Sequence, residues 1–337
     1  MDRRFAFRIL SLPGVAKSTY GVIIAFGAIA AIISSVISNT TVCAMLLPIA
    51  LGMMGVLGGL VSEQADDDVA DVSRLRFGTA LMLMISYGAG VGGLLTPIGT
   101  APNLIGIAFI EQATDINISF FEWMLTAAPV VVPMFILLCI ILILLNRPEV
   151  RRISGAEEYV NEERRKLGPF SPGERNTMIV FAVAVSLWLL PGVIALTFGD
   201  ESTAYSVIYT RLDEGTVAII ADTFGFTSVV AVSAVSAVIA VLISETTSNT
   251  ASATIVVPIV IPVATAAGLD PLVPALCALF ACSFGFMMPV STPQNAVVYG
   301  SGMIPITKMV RSGIVFDVIG LALIVLLVPI MATLIIA

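Results

Sequence analysis

A polar triplet, Ser-Asn-Thr, occurs twice in this chain within otherwise apolar sequence, at residues 38–40 and 248–250. A proline follows each serine at the same spacing, as Pro48 and Pro258. Two copies with the same internal spacing indicate a duplicated unit. Serine and asparagine compete with a helix for backbone hydrogen bonds. Each triplet therefore predicts a break where carbonyl, amide and hydroxyl groups are free to face something other than lipid.

The composition determines the environment of the fold. Hydrophobic residues make up 58% of the chain and charged residues 12%, which is too apolar for a soluble domain of this size. We therefore expect an all-α polytopic membrane protein. The chain has no histidine, which excludes histidine proton relays, histidine metal ligands and a Ser-His catalytic pair. Its four cysteines lack paired spacing and are interpreted as small core residues: Cys43, Cys139, Cys277 and Cys282.

Two apolar arms, 20–37 and 41–61, flank the first triplet. By themselves they are compatible with two successive spans or with a hairpin that enters the membrane and returns. Arginines occur among the first eight residues and again in the polar segment 62–76. Because basic residues stay on the cytoplasmic side, both ends of this unit are expected there. A re-entrant hairpin with the triplet at its tip satisfies that constraint.

The apolar run that follows, 77–95, stops at the segment TPIGTAPN (96–103), after which apolar sequence resumes. Pro97, Gly99 and Pro102 are incompatible with a continuous helix, because an interior proline removes a backbone donor and costs ~3 kcal/mol or more. The sequence therefore predicts a transmembrane helix that is broken midway.

The second half repeats this order of features. The run 229–243 leads to the second triplet, the return arm covers 251–267, and the apolar run 272–289 ends at a second predicted break, STPQN (291–295). A final span is predicted at 313–337. Both breaks contain Thr-x-x-Asn, at 100–103 and 292–295.

The signs of the loop charges place the two halves in opposite orientations. Four regions follow: 1–145, the first half of a transport domain; 146–176, a cytoplasmic polar loop with an amphipathic surface helix; 177–228, a partial scaffold; and 229–337, the second half. Inverted repeats with interrupted helices are the architecture of secondary transporters, in which half-helix N-termini attract anions and unwound carbonyls coordinate sodium. We expect the site where the four breaks converge.

The segments around the four breaks carry almost no fixed charge. They contain no lysine or arginine, and Glu245 is their one acidic residue. An anion would be held there by hydroxyls, amides and helix N-termini, assisted by bound cations such as sodium. Glu245 is interpreted either as a protonatable coupling group or as an acceptor for backbone amides at the hairpin tip. Asp222 and Asp317 are weaker candidates, because a position near a membrane face would explain either. Acidic residues interleave with the basic ones in 147–176, which argues against nucleic-acid binding.

Four motifs together resemble the divalent anion/sodium symporter family: ISNTT with MLLPIALG, TPIGTAPN, TSNTASA with VVPI, and PVSTPQNAVVYGSG. The resemblance implies an elevator-type transporter, a homodimer in the cytoplasmic membrane, and further scaffold helices before the arginine-rich opening, so that the chain is identified as an N-terminally truncated member. It implies substrate contacts from Ser38, Asn39, Thr40, Ser248, Asn249, Thr250, Thr292 and Pro293. It also implies one sodium near Ser34, Ser38, Asn39 and Gly99 and another near Ser244, Asn249 and Ser291.

The function indicated by these features is sodium-coupled symport of di- or tricarboxylates of the succinate, malate, fumarate or citrate class, with sodium as coupling ion and no other cofactor. Three alternatives stay open: the same fold carrying sulfate or another anion, a dicarboxylate exchanger without sodium, and a non-transporting truncated remnant. An intramembrane enzyme is not expected, because the chain lacks both a Ser-His pair and the paired aspartate motifs of an aspartyl protease.

Overall fold

The computed structural model describes residues 11, 15, 18–65, 75–149, 156–166 and 229–336. Within these ranges the chain forms helices and no strands. The helices are α1 Thr19–Ser34, α2 Asn39–Ala65, α3 Arg76–Gly93, α4 Ala101–Thr114, α5 Phe120–Leu145, α6 Ala156–Lys166, α7 Val229–Thr246, α8 Asn249–Ala266, α9 Leu272–Cys282, α10 Pro293–Tyr299 and α11 Ile306–Ile335. The partial scaffold expected at 177–228, including Asp222, lies outside the described residues.

Helices α1 and α2 form the first helical hairpin, and the break between them covers residues 35–38. Only the serine of the first triplet lies in this break, because Asn39 and Thr40 already belong to the first turn of α2. The second hairpin, α7 and α8, has the same arrangement. Ser248 is the N-cap of α8, and its hydroxyl accepts from the backbone N–H of Ala251. Each triplet thus starts the second helix of its hairpin, and Pro48 and Pro258 lie inside these helices.

The first broken helix consists of α3 and α4, separated by residues 94–100 as the sequence predicts. Thr100 is the N-cap of α4, and Pro102 lies in its first turn, where a missing backbone donor is tolerated.

The second broken helix consists of α9 and α10. The predicted boundary of its break is wrong: α9 ends at Cys282, so the non-helical segment begins at Ser283 and not at residue 291. Side chains from elsewhere replace the lost helical hydrogen bonds. Asn295 donates to the carbonyl of Gly285 and Glu245 accepts from the N–H of Met287. An apolar run does not reveal such distant partners, and for this reason the sequence placed the break too late.

Four helices of the described residues are long and apolar enough to cross a membrane, namely α5, α7, α8 and α11. Helix α11 starts at Ile306, before the predicted residue 313, because the amphiphilic turn with Lys308 and Arg311 is also helical. Helix α6 confirms the amphipathic helix expected in the polar loop. It buries Val160 and packs against α2.

Helices from the two halves pack against each other in the core. Within each half, the first arm of the hairpin packs against the first part of the broken helix, as α1 on α3 and α7 on α9. The second arm contacts both halves, so that α2 packs on α3 and α10, and α8 packs on α9 and α4. This reciprocal packing brings both hairpins and both breaks into one contiguous core.

Candidate functional site

The tip of the first hairpin forms a small polar cluster with the end of α3. The hydroxyl of Ser34 donates to Oδ1 of Asn39, which is 7% exposed. A Cβ built on Gly93 would lie 2.7 Å from that oxygen, so the Asn39 side chain rests on the glycine backbone. Gly99 packs in turn on the carbonyl of Gly93, with which a Cβ at position 99 would clash. We call Ser34, Asn39, Gly93 and Gly99 the first cradle.

The tip of the second hairpin repeats this geometry. Ser244 donates to Oδ1 of Asn249 at 2.8 Å, and Nδ2 of Asn249 donates to the carbonyl of Ser283 at 3.1 Å. Around the Cβ position of Gly285 lie Asn249 Oδ1 at 2.9 Å, Ser291 Cβ at 3.1 Å and Ser244 Oγ at 3.3 Å. These four residues, Ser244, Asn249, Gly285 and Ser291, are the second cradle.

An asparagine after each break holds the unwound backbone behind its cradle. Nδ2 of Asn103 donates to the carbonyls of Gly93 at 2.9 Å and Thr96 at 2.8 Å. Nδ2 of Asn295 donates to the carbonyls of Gly285 at 2.7 Å and Met288 at 3.0 Å. The sequence separations are ten and seven residues in both cases. The Thr-x-x-Asn motifs therefore close the breaks, and the bound glycine is in each case the floor of the cradle.

The two cradles are connected through the end of α3 and the start of α10. Gly90 lies one helical turn before Gly93, and its Cβ position is 3.7 Å from Nε2 of Gln294 in the first turn of α10. One residue further, Asn295 accepts from the hydroxyl of Ser86 on α3 at 2.6 Å. Since Asn295 also holds Gly285, a continuous series of contacts links Asn39 to Asn249.

Glu245 distinguishes the second cradle from the first, where Ser35 occupies the corresponding place in the hairpin. The carboxylate of Glu245 accepts from the N–H of Met287 at 2.7 Å, the N–H of Met288 at 3.3 Å and the hydroxyl of Ser291 at 2.7 Å. The acceptor interpretation of Glu245 is the one that the contacts fit. The amides belong to the break of the second broken helix, not to the hairpin tip.

Several residues of the expected substrate set lie at the rims of the cradles. Ser38 is exposed and its hydroxyl pairs with that of Thr41 at 2.8 Å, so it is not part of the first cradle. Thr292 is buried and caps α10 by accepting from the N–H of Asn295 at 3.3 Å. Thr250 and Pro293 are exposed, and Thr40 is half-buried. The structure thus brings the triplet asparagines into the cradles and leaves most of the hydroxyl and proline positions outside them.

The sequence interpretation missed Gly93 and Gly285. A signal was available, because each of these glycines precedes the asparagine of its Thr-x-x-Asn motif by ten residues. The reason for a glycine is steric, since any Cβ at either position would displace the cradle asparagine.

Asp317 is buried within the protein, and the interpretation that it lies near a membrane face stays a prediction. The residue lies within the 30-residue helix α11 and is 4% exposed. It faces the interior because Gly313 and Gly320, on the same side of α11, let the helix approach the second break closely.

Comparison with known proteins decides the family. The family model described as the sodium:sulfate symporter transmembrane region matches residues 1–224 and 214–336. The chain belongs to this family. A sodium-dependent dicarboxylate transporter, SdcS, of Staphylococcus saprophyticus is 26% identical over 380 aligned residues, which cover 97% of this chain and 72% of that protein. SdcS of Staphylococcus aureus strain USA300 is 25% identical over 382 aligned residues, with the same coverage. An uncharacterized transporter of Haemophilus influenzae is 26% identical over 366 aligned residues, covering 95% and 74%.

Membership of the sodium:sulfate symporter family confirms the resemblance drawn from the four motifs. The relatives are transporters, so this chain is an integral membrane transporter and not an enzyme. The cradles are therefore candidate positions for a transported solute or its coupling ion.

Proposed function

We propose that the chain is a sodium-coupled symporter of di- or tricarboxylates across the cytoplasmic membrane. The observation that carries this proposal is the duplicated cradle, in which a serine and a glycine fix the oxygen of a triplet asparagine in each half. The names of the SdcS relatives, which are sodium-dependent dicarboxylate transporters, support the same substrate and ion.

Sodium is assigned to the cradles because they offer the kind of oxygen ligands that it prefers. Hydroxyl, amide and backbone carbonyl oxygens suit a hard monovalent cation, whereas soft metals prefer thiolate or imidazole. The first position would use Ser34, Asn39 and Gly99, with Ser38 at the rim. The second would use Ser244, Asn249 and Ser291. Both asparagines are more than nine-tenths buried, so a cation there would be held away from bulk water.

The substrate carboxylates are assigned to the rims, where polar groups remain accessible. Asn39 and Asn249 begin α2 and α8, and the N-terminal turns of these helices present backbone N–H groups and positive dipole ends to an anion. Thr40 and Thr250 add hydroxyls in these turns, and Ser38, Ser248, Pro293 and the buried N-cap of α10, Thr292, complete the proposed set. No arginine clamp is needed when sodium ions lie directly behind the substrate.

The transport motion proposed is of the elevator type, with both helical hairpins re-entrant and carried by one mobile domain. The reciprocal packing of α2 on α10 and α8 on α4 supports a single moving unit. A cysteine at the exposed tip residue Thr247 is expected to react with a membrane-impermeant maleimide from either face of the bilayer. A hairpin that crosses the membrane completely would present that cysteine to one face alone. A homodimer is also proposed, and light scattering of the detergent-solubilised protein would test it.

Uptake into proteoliposomes tests the proposed function directly. Radiolabelled succinate or citrate should accumulate when a sodium gradient is imposed and should not accumulate with potassium in its place. Protein-free liposomes provide the background. Uptake that is indifferent to sodium but stimulated by internal unlabelled succinate would identify an exchanger. Inhibition by sulfate together with failure of succinate to accumulate would identify a carrier of inorganic anions, and no uptake of any of these ions would identify a non-transporting protein.

A further inference from the structure

Asp317 is a buried acid without a hydrogen-bond partner. Its side chain is 4% exposed, and neither Oδ1 nor Oδ2 meets a donor among the described residues. An ionised carboxylate in such a place carries a large desolvation penalty unless a positive charge or hydrogen-bond donors compensate. The negative charge of the Asp317 carboxylate must therefore be neutralised.

The face of α11 that carries Asp317 lies against the second break. One turn before it, a Cβ on Gly313 would lie 2.6 Å from the backbone N of Met287. One turn after it, a Cβ on Gly320 would clash with the ring of Phe284. The N–H of Met287 is also the donor that Glu245 accepts at 2.7 Å. Both acids thus approach the same short segment, and the helices that carry them, α7 and α11, pack against each other.

The helices that pack against α11 do not supply a positive charge. Helix α7 contributes Glu245 itself, α5 contributes Glu122 and Cys139, and α9 contributes Cys277 and Cys282. Tyr87 of α3 has its hydroxyl on the carbonyls of Phe286 and Met309, at 2.5 and 3.2 Å. Among the described residues, Lys308 and Arg311 of α11 form no ion pair with Asp317.

The two carboxyl oxygens of Glu245 already accept from three donors. Two ionised carboxylates can only accept, so Glu245 cannot satisfy Asp317 unless one of the two carries a proton. We propose that Asp317 is a proton-binding site: it is held as a neutral carboxylic acid and donates its O–H to the carboxylate of Glu245.

The position of the pair makes this proton a coupling element of the second cradle. Glu245 accepts from Ser291 through both its side chain and its backbone carbonyl. Loss of the proton from Asp317 would set two negative charges against each other and push Glu245 away from these contacts. This consequence for transport rests on the proposed function, whereas the proton site itself does not.

Infrared spectroscopy of the full chain in nanodiscs tests the site without any transport measurement. The wild type should show the C=O stretching band of a protonated carboxylic acid at neutral pH, with a shift in D2O. We expect Asp317→Asn to lose this band and Asp115→Asn, an exposed control at a position that asparagine also tolerates, to keep it. Glu245→Gln should shift the frequency of the band because it changes the acceptor.

Three results would overturn the proposal. One is a band of full intensity in Asp317→Asn, and another is a band whose frequency is the same in Glu245→Gln and the wild type. The third is an absent band in the wild type together with a sodium stoichiometry that falls by one in Asp317→Asn, since that would make Asp317 a sodium ligand. The frequency shift in Glu245→Gln provides the readout if Asp317→Asn does not fold.

Transport adds a second readout. The amide of Asp317→Asn still donates a hydrogen bond to Glu245, so sodium-driven uptake should persist. The difference in uptake rate between neutral and alkaline pH, which we expect in the wild type, should be lost in this variant. A pH profile that matches the wild type would contradict the coupling role. If no variant and no wild type transports any carboxylate, the proposed function fails and the infrared result still decides the proton site.

Discussion

The hydroxyl of Ser244 donates to Oδ1 of Asn249 at 2.8 Å, across the break of the second hairpin. The equivalent serine and asparagine of the first hairpin, Ser34 and Asn39, make the same bond. In both hairpins the partners are five positions apart in the sequence, so the serine near the end of one helix orients the first residue of the next. The amide oxygen is thereby fixed before any ligand arrives, and such preorganisation reduces the entropy lost on binding.

The cradle asparagines should not tolerate a carboxylate. In Asn249→Asp the side chain can no longer donate to the carbonyl of Ser283, and a negative charge faces that carbonyl instead. We expect Asn39→Asp and Asn249→Asp each to reduce sodium-driven uptake to the level of protein-free liposomes, with normal expression and gel-filtration profile. Asn117→Asp, at an exposed position, is the matched control and should transport normally. Normal uptake by both cradle variants would place the site elsewhere.

A methyl group at the floor of either cradle should displace its asparagine. The Cβ of Gly93→Ala would lie 2.7 Å from Asn39 Oδ1, and that of Gly285→Ala 2.9 Å from Asn249 Oδ1. We expect each change to destabilise the protein by roughly 1–3 kcal/mol, typical of overpacking, and to raise the sodium concentration needed for half-maximal uptake. Gly55→Ala is the control, because its Cβ meets nothing within 4 Å. Thermal unfolding in detergent and sodium titrations would measure both effects.

Removal of the Ser86 hydroxyl should weaken the connection between the halves. Ser86 donates to Oδ1 of Asn295 at 2.6 Å, and both residues are buried. In Ser86→Ala this oxygen loses its donor, which costs about 1–3 kcal/mol for a buried polar group. A lower melting temperature relative to the wild type would support this role, whereas an unchanged melting temperature would show that the bond contributes nothing to stability.

The first half offers the inverse experiment. The equivalent oxygen, Oδ1 of Asn103, has no hydrogen-bond partner among the described residues. By the spacing of the repeat, the position that matches Ser86 is Ala278 on α9, which packs against α4. We expect Ala278→Ser to supply the missing donor. A neutral hydrogen bond of this kind adds about 1 kcal/mol to the free energy of unfolding, so the melting temperature should rise. Ala275→Ser, also buried on α9, is the control and should not raise it.

Glu149 should make stability depend on acidic pH. Partial burial raises the pKa of this carboxyl, but hydrogen bonds from the N–H groups of Arg76 and Phe77 and from the Arg76 guanidinium outweigh burial and lower it below its usual value. A lowered pKa in the folded state means that this stabilisation is fully present above the usual glutamate value of about 4.3 and is lost as pH falls through the folded pKa. The melting temperature of Glu149→Gln should therefore fall less steeply over that acidic range than that of the wild type. Glu158→Gln, at an exposed position, should follow the wild type.

The sequence by itself determined the membrane class, the duplicated order of features and the two triplets, because these depend on local composition and on spacing along the chain. It also located the first break, since Pro97 and Gly99 exclude a continuous helix whatever the tertiary structure around them. The family motifs extended this to a transporter, which the comparisons bear out.

Only the tertiary structure decided which atoms of these motifs lie together. The second break starts at Ser283 because Glu245 and Asn295 bind its backbone from distant positions, and no local pattern encodes such partners. Gly93 and Gly285 matter through contacts with asparagines that are remote in sequence. Asp317 is buried because two glycines bring its helix against the second break. In each case the deciding interaction joins residues separated by many positions, so it exists only once the halves have packed.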